Sequence, residues 1–289
     1  MDCQLSLSNR WFTLGLEPRI TCTGHEGAAL MDYTKLNADA WDKHAEGGYE
    51  WTRPIFHERY AEACSGIMKV YLTPTITTPL SWFPNITPET KVLGLASGGG
   101  QQGPIFQALG ADVTIMDLSE KQLEMERLVA DREAYAINIV KADMTEKFPF
   151  ADGSFDLIFH PISNCYVKEI QGIWDECFRV LKKGGTLLAA FVKEEHFLFE
   201  PDFQNEDVLI SRHSLPYDSL KDDSNNVLQN KIQNRETLVF SHTLTEQIGG
   251  QIKAGFTILD LYEDGDGGGL FDKYMNSYVA TKAMKPLIP

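Results

Sequence analysis

Residues 92–103 read VLGLASGGGQQG. Val92, Leu93 and Leu95 form a short apolar run that predicts a buried strand, and Gly98, Gly99 and Gly100 admit backbone angles that a Cβ disfavours. Pro104 follows near the first turn of a predicted helix, where a missing N–H costs nothing. Strand, glycine turn and helix together aim free backbone N–H groups and a helix N-terminus at an anionic or polar ligand. Gly98-x-Gly100-x-x-Gly103 also fits a dinucleotide fingerprint, so the rest of the chain must decide which nucleotide is bound.

Working outward, the pattern predicts a helix over 104–109, a strand over 112–116 ending at Asp117, and a helix over 120–134 opened by a capping box of Ser119 and Gln122. INIVKAD (137–143) and FDLIFH (155–160) predict the next strands, ending at Asp143 and His160. A helix over 168–181 turns Ile170, Ile173, Trp174, Cys177 and Val180 or Leu181 inward, and Gly184-Gly185 lead into TLLAAFV (186–192). Strands alternating with helices at this spacing predict a parallel, Rossmann-like α/β sheet with right-handed crossovers.

Residues 194–245 break this rhythm. They are polar, rich in Asp and Asn, and alternate at Val208-x-Ile210 and Leu238-x-Phe240, which predicts an insertion covering one edge of the sheet. A helix over 245–254 and strands over 255–264 and 274–282, joined through DGDGGG, predict a terminal antiparallel hairpin. On the amino side, helices over 34–46 and 55–69 and a proline-punctuated connector form a preface. One domain over 31–289 is therefore expected: preface 31–87, core 88–193, insertion 194–245, and terminal helix and hairpin 246–289. Residues 1–30 show no period and are expected to be an irregular extension that folding and binding can spare, with the natural start at Met31.

Twenty-six basic against 41 acidic side chains give a formal charge of −15, which argues against a general phosphate-backbone binder and hence against a nucleic-acid partner. The five cysteines (Cys3, Cys22, Cys64, Cys165 and Cys177) are scattered without a CxxC, and no histidine pair has metal-ligand spacing. The expectation is a reduced, cytoplasmic protein without a metal. No apolar run reaches the ~18 residues that a membrane span needs, so no membrane insertion is expected. Oligomeric state is left open.

Six ordered blocks carry a family likeness: LASGGGQQG, the strand-terminal Asp117, KADM (141–144), SFDLIFH (154–160), RVLKKGG (179–185) and AGF (254–256). In these the chain resembles the class I S-adenosylmethionine-dependent methyltransferases, especially the small-molecule group that includes quinone-biosynthesis methyltransferases. The resemblance implies S-adenosylmethionine as cofactor, a small-molecule acceptor, and a mostly parallel sheet with a terminal antiparallel hairpin and helices on both faces. It assigns the ribose hydroxyls to Asp117, where a strand-end carboxylate can accept both. Asp143 would take the adenine amino group and Met144 would pack along the ring. Ala96, Ser97, Gly98, Gly100, Gln101, Gln102 and Leu118 complete the implied cofactor site. The chain departs from the family at Gly94 and Ala96, which stand where the first motif has an acidic residue and a glycine. Ser97, Gln101, Gln102 or backbone carbonyls are alternative acceptors for the cofactor's methionine end, and one glutamine is expected to take that role.

In the family the end of the fourth strand lies beside the transferring methyl, which makes His160 the candidate base and a cofactor contact; imidazole titrates near neutral pH. Asn164 and Tyr166 are placed to orient an acceptor, and His242 in LVFSHTL to reach its pocket. Trp51, with Tyr33 and Trp41, is a candidate wall of the site. The preface and insertion would form a lid that excludes water. His196 and His213 have no partner legible in sequence. Two other readings stay open. A nicotinamide-dependent oxidoreductase shares the glycine turn and the acidic residue 17 positions past Gly100. A non-catalytic S-adenosylmethionine-binding protein would accommodate the altered first motif.

Overall fold

The computed structural model of the protein describes residues 31–202 and 205–287; the extension expected over residues 1–30 lies outside them. The described chain begins with α1 (Tyr33–Glu46), a single 3-10 turn and α2 (His57–Cys64). The second helix is shorter than the predicted 55–69. Ser65 turns its hydroxyl back onto Glu62 O (2.6 Å), and Gly66 steps into the left-handed region at φ +91°.

The core follows as β1 (Lys91–Leu95), α3 (Gly103–Ala108), β2 (Asp112–Asp117), α4 (Glu120–Glu133), β3 (Asn138–Lys141), β4 (Phe155–His160), α5 (Gln171–Val180) and β5 (Leu181–Val192). The insertion holds its own antiparallel pair, β6 (Phe199–Asp202) and β7 (Asn205–Ser211), then α6 (Ser219–Asp222) and α7 (Asn225–Asn234). A π-turn at Thr245–Gly249 runs into α8 (Gly250–Ala254), and β8 (Thr257–Asp264) and β9 (Tyr278–Met284) end the sheet.

The seven strands lie in the order β3-β2-β1-β4-β5-β9-β8. The first five are parallel, and β9 runs antiparallel to both β5 and β8. The strand order reverses between β1 and β4, which is where open α/β sheets leave a crevice at their carboxyl ends. Two predicted strands are displaced. β3 stops at Lys141, so Asp143 stands in the following loop. β9 starts at Tyr278 rather than 274, because Asp272 accepts N–H bonds from Asp266 (2.6 Å) and Gly268 (2.5 Å) and folds the connection on itself.

The pleat distributes the core to two faces. Leu93, Leu95 and Ile158 pack with Trp174, Ile173, Cys177 and Phe256 on one side. Val92, Val113, Ile115, Leu157 and Phe159 pack with Phe106, Leu123 and Trp82 on the other. Burial on both faces explains why these strands read as near-continuous apolar runs. Ile170, Ile173, Trp174, Cys177, Val180 and Leu181 are all buried, as the periodicity of the predicted helix requires.

The insertion bonds to the carboxyl end of β4 and to α1, so it meets the mouth of the crevice, whereas the sequence placed it along an edge of the sheet. Phe240 N donates to Cys165 O (2.8 Å). Asn37, in the middle of α1 and almost fully buried, donates to Tyr166 O (2.8 Å) and Leu238 O (3.0 Å) and accepts from Leu238 N (2.7 Å). One buried amide thus staples the preface, the segment after β4 and the insertion together; leaving such groups unpaired would cost about 1–3 kcal/mol each.

Candidate active site

A cavity of about 630 Å³ opens at the carboxyl ends of the parallel strands. Its floor comes from the residues that follow each strand: Ala96–Gly98 after β1, Asp117–Ser119 at β2, Ala142–Met144 after β3, Pro161–Ser163 after β4, and Val192 at the end of β5. Of the cofactor residues expected from sequence, Ala96, Ser97, Gly98, Gln101, Gln102, Asp117, Leu118, Asp143, Met144 and Trp51 line it. Gly100 and His160 are not among the lining residues.

The glycine turn differs from its expected form. Gly98 N donates to Asp117 Oδ2 (3.0 Å), Gly99 N to Gln122 O (2.9 Å) and Gly100 N to Glu126 Oε1 (2.7 Å). These three N–H groups therefore bind β2 and α4 instead of facing a ligand. Gly98 is required for close approach: a Cβ there would stand 2.7 Å from Gln122 Cβ. Ala96 takes φ +47° at the position where the family has glycine.

The second departure also has a packing cause. A Cβ on Gly94 would meet Ser97 Oγ at 2.4 Å and Ile115 Cδ1 at 2.5 Å, so the room for the family's acidic side chain is already filled. Ser97 Oγ and Gln122 Oε1 are buried without a partner among the described residues, and both residues line the cavity. Buried polar atoms are normally satisfied, so two orphans on one cavity wall mark where a polar ligand fits. Of the two glutamines expected to replace the carboxylate, Gln101 is engaged elsewhere, its Nε2 donating to Glu50 O (3.0 Å) and Arg53 O (3.1 Å) and pinning the 3-10 turn that carries Trp51, while Gln102 lines the cavity.

Asp117 accepts Gly98 N through Oδ2 and Ser119 N (2.9 Å) through Oδ1, yet each oxygen keeps a second lone pair. Burial pushes its carboxyl upward, opposed by these backbone N–H bonds, while Asp42 nearby raises it further. Asp42 also accepts Ser119 Oγ (2.6 Å) and Lys121 N (3.0 Å), so α1 caps α4 from outside. Beneath the turn, burial raises Glu126 to about 8, and its Oε2 has no partner among the described residues. Asp143 folds its loop through Oδ1, which accepts Thr145 N and Oγ1 (2.8 Å each).

The histidines fall differently from the sequence expectation. His160 has no solvent exposure; Nδ1 donates to Leu95 O (3.0 Å) and Nε2 lies 2.8 Å from the Asn164 side-chain amide. Burial, opposed by the bonds to Leu95 O and Asn164, holds its pKa below the ordinary imidazole value and keeps the ring neutral. Asn164 Oδ1 is the atom that faces Nε2, and Asn164 Nδ2 donates to Gln247 Oε1 (2.9 Å). This buried chain joins β1, β4 and the segment before α8. Asn164, also wholly buried, is part of it and not an acceptor-orienting group on the cavity wall. His242 is likewise internal: Nε2 donates to Val167 O (2.8 Å) and Asn164 O (3.1 Å).

Tyr166 and Trp41 do line the cavity, edge-to-face at 5.3 Å; Tyr33 does not. The imidazole that lines it, among the described residues, is His196. Its side chain was legible only as an isolated histidine, although its place just beyond β5 was a usable signal, since ligands of parallel sheets lie at strand carboxyl ends. Burial keeps Tyr166 and Tyr278 protonated well above neutral pH and pushes the Cys165 thiol up to about 12. Among the described residues, no group of three or more His, Cys, Asp or Glu side chains could hold a metal ion.

A sheet reversing between β1 and β4, a carboxylate closing β2, and an antiparallel last strand define a Rossmann-like methyltransferase fold. Residues 93–189 match the family described as methyltransferase domain. The chain is 43% identical over 249 residues to the uncharacterized methyltransferase YbaJ of Bacillus subtilis (strain 168), covering 86% of this chain and 97% of that one. It belongs to this methyltransferase family, whose methyl donor is S-adenosylmethionine. In fold it is similar to the 1,6-didemethyltoxoflavin-N1-methyltransferase of Burkholderia thailandensis, with a TM-score of 0.54, 15% identity, and coverage of 91% and 93% of the two chains. It is also similar to an S-adenosylmethionine-dependent methyltransferase from Mesorhizobium loti, with a TM-score of 0.53, 16% identity, and coverage of 71% and 94%. The nicotinamide-dependent reading gives way to this membership.

Proposed function

We propose that the protein methylates a small-molecule acceptor, with the cavity at the strand ends holding donor and acceptor together. The observation that carries this is the pair of orphaned buried polar atoms, Ser97 Oγ and Gln122 Oε1, on the wall that also presents Asp117. The residues fit the donor. Asp117 offers two free lone pairs to the ribose hydroxyls, Asp143 and Met144 stand at the adenine end, and Ser97 takes the part at the methionine end that the family gives to its acidic residue. When bound, S-adenosylmethionine supplies an electrophilic methyl group on a sulfonium.

The protein's own contribution is alignment and exclusion of water, which are the large terms in such a displacement. In this reading residues 31–87 and 194–245 are the lid, 88–193 the donor-binding core, and 246–289 the closing helix and strands. Trp41, Tyr49, Trp51, Tyr166 and Tyr278 give the cavity an aromatic wall suited to an organic acceptor, in keeping with the resemblance to the quinone-biosynthesis group. His160 serves as a positioning residue that fixes β1 against β4. A cytoplasmic location without a nucleic-acid partner fits the acidic composition, and among the described residues no helix is long and apolar enough to cross a membrane.

Calorimetry with S-adenosylhomocysteine, S-adenosylmethionine and NAD tests the reading. The two sulfur compounds should bind and NAD should not. Asp117→Asn should weaken S-adenosylhomocysteine by roughly 10- to 100-fold, the loss of about 1.5–3 kcal/mol expected for hydrogen bonds to a charged group. NAD binding that depends on Asp117 would refute it. Methyl transfer from labelled donor into a metabolite pool separates an enzyme from a protein that only binds the donor.

A further inference from the structure

Beside the main cavity lies an open recess of about 330 Å³. The two share His196, Phe197 and Val239, so these residues form a common wall. Past them the recess is bounded by Phe199, His213, Tyr217 and Phe271. Apart from Phe271, every one of these belongs to the turn after β5 or to the insertion.

The chemistry of the recess is one-sided. Its walls are rings packed on one another: His196 stacks on Phe271 at 4.1 Å, Phe197 on Tyr217 at 6.2 Å, and His213 leans on Tyr217 at 4.7 Å. No carboxylate, ammonium or guanidinium is among the lining residues. The polar ends of the wall are already satisfied from outside, His213 Nε2 by Glu200 (2.9 Å) and Tyr217 OH by Asp223 (2.6 Å). A charged ligand finds no counterion among these lining residues, whereas a neutral ring can stack on them.

His196 is the exception, because it retains hydrogen-bonding capacity. Its Nδ1 lies 3.2 Å from Ser277 Oγ, a fully buried hydroxyl that can donate or accept, and Nε2 has no partner among the described residues. Burial keeps the ring neutral. Nε2 can therefore accept from an O–H or N–H, or donate to a carbonyl, according to which way the Ser277 hydroxyl turns.

We propose that this recess extends the acceptor site out of the main cavity, that it takes a neutral aromatic ring of the acceptor, and that His196 Nε2 binds the acceptor's polar group at the wall shared with the donor. The proposal rests on the methyltransferase reading of the main cavity. It makes the insertion the element that selects the acceptor.

The test uses the full chain with 2-naphthol as probe and 2-naphthoate as its anionic counterpart. Calorimetry first measures S-adenosylhomocysteine alone, then each probe on protein saturated with it. Saturated wild type should bind 2-naphthol at least tenfold more tightly than 2-naphthoate. Val239→Phe, which fills the shared wall, and His196→Phe, which keeps the ring stack and removes the nitrogens, should each weaken 2-naphthol at least tenfold. Both should keep a single cooperative unfolding transition, which certifies that they fold. In the imidazole ¹⁵N spectrum, the His196 Nε2 resonance should shift with 2-naphthol and not with S-adenosylhomocysteine alone, an outcome that a structural histidine would not give. Undetectable 2-naphthol binding, equal binding of the anion, indifference to both substitutions, or an unmoved His196 resonance would overturn the proposal. Failure of wild type to bind S-adenosylhomocysteine would instead overturn the underlying methyltransferase assignment.

Discussion

Replacing Glu126 by glutamine should change how stability depends on pH, because this side chain is buried as an acid beneath the glycine turn. Oε1 accepts Gly100 N at 2.7 Å, Oε2 has no partner among the described residues, and burial raises the carboxyl to about 8 from an ordinary 4.5, with Asp117 adding to the rise. Between those two values the unfolded chain is ionised while the folded chain keeps its proton. The native state then binds more protons, and stability falls as pH rises, from fully present below 4.5 to lost above about 8. The gap corresponds to about 5 kcal/mol at about 1.4 kcal/mol per pH unit. Glu126→Gln preserves the acceptor for Gly100 N and removes the titration. Urea unfolding of both proteins without ligand, from pH 5.5 to 8.5, isolates the effect, since groups titrating in both largely cancel. The stability of wild type relative to the variant should fall by about 1.4 kcal/mol per pH unit up to pH 7.5 and level off above about 8. A difference that stays constant, or that rises with pH, would refute a buried neutral Glu126.

Two further substitutions probe the packing of the site. Gly94→Asp restores the family's residue where Ser97 Oγ and Ile115 Cδ1 leave no room. It should cost about 2–4 kcal/mol by chemical denaturation, through overpacking and a buried charge. A change below about 0.5 kcal/mol would show that the loop yields easily. His160→Ala leaves Leu95 O and the Asn164 amide unpaired in a sealed core. It should cost about 3 kcal/mol, lowering Tm by about 6–12 °C, with donor affinity falling alongside. Lost turnover at unchanged Tm would return His160 to the role of base.

Much of the site was legible before any coordinates. Asp117, Asp143 and Met144 could be placed because the position of a residue relative to the end of a parallel strand follows from periodicity, and ligands of such sheets gather at strand ends. The fate of His160 was not legible. The sequence puts it at the right strand end, but whether a ring enters the cavity or the core depends on Leu95 and Gln247, which approach from other segments. His196 reversed the case: an isolated histidine in a polar insertion became the imidazole on the cavity wall once Phe271 and Ser277, distant in sequence, were brought against it.

By itself, the sequence determined the strand–turn–helix rhythm, the doubly covered sheet and the carboxylate that closes β2. Those features are local, set by side-chain period, turn chemistry and burial of short segments. Only the tertiary structure decided how the glycine turn is used and why Gly94 stands where the family has an acid. It also decided which histidine faces the cavity. Each of these depends on contacts between distant segments: Glu126 reaching Gly100, Ile115 and Ser97 closing on Gly94, and the insertion folding back onto β4 and α1.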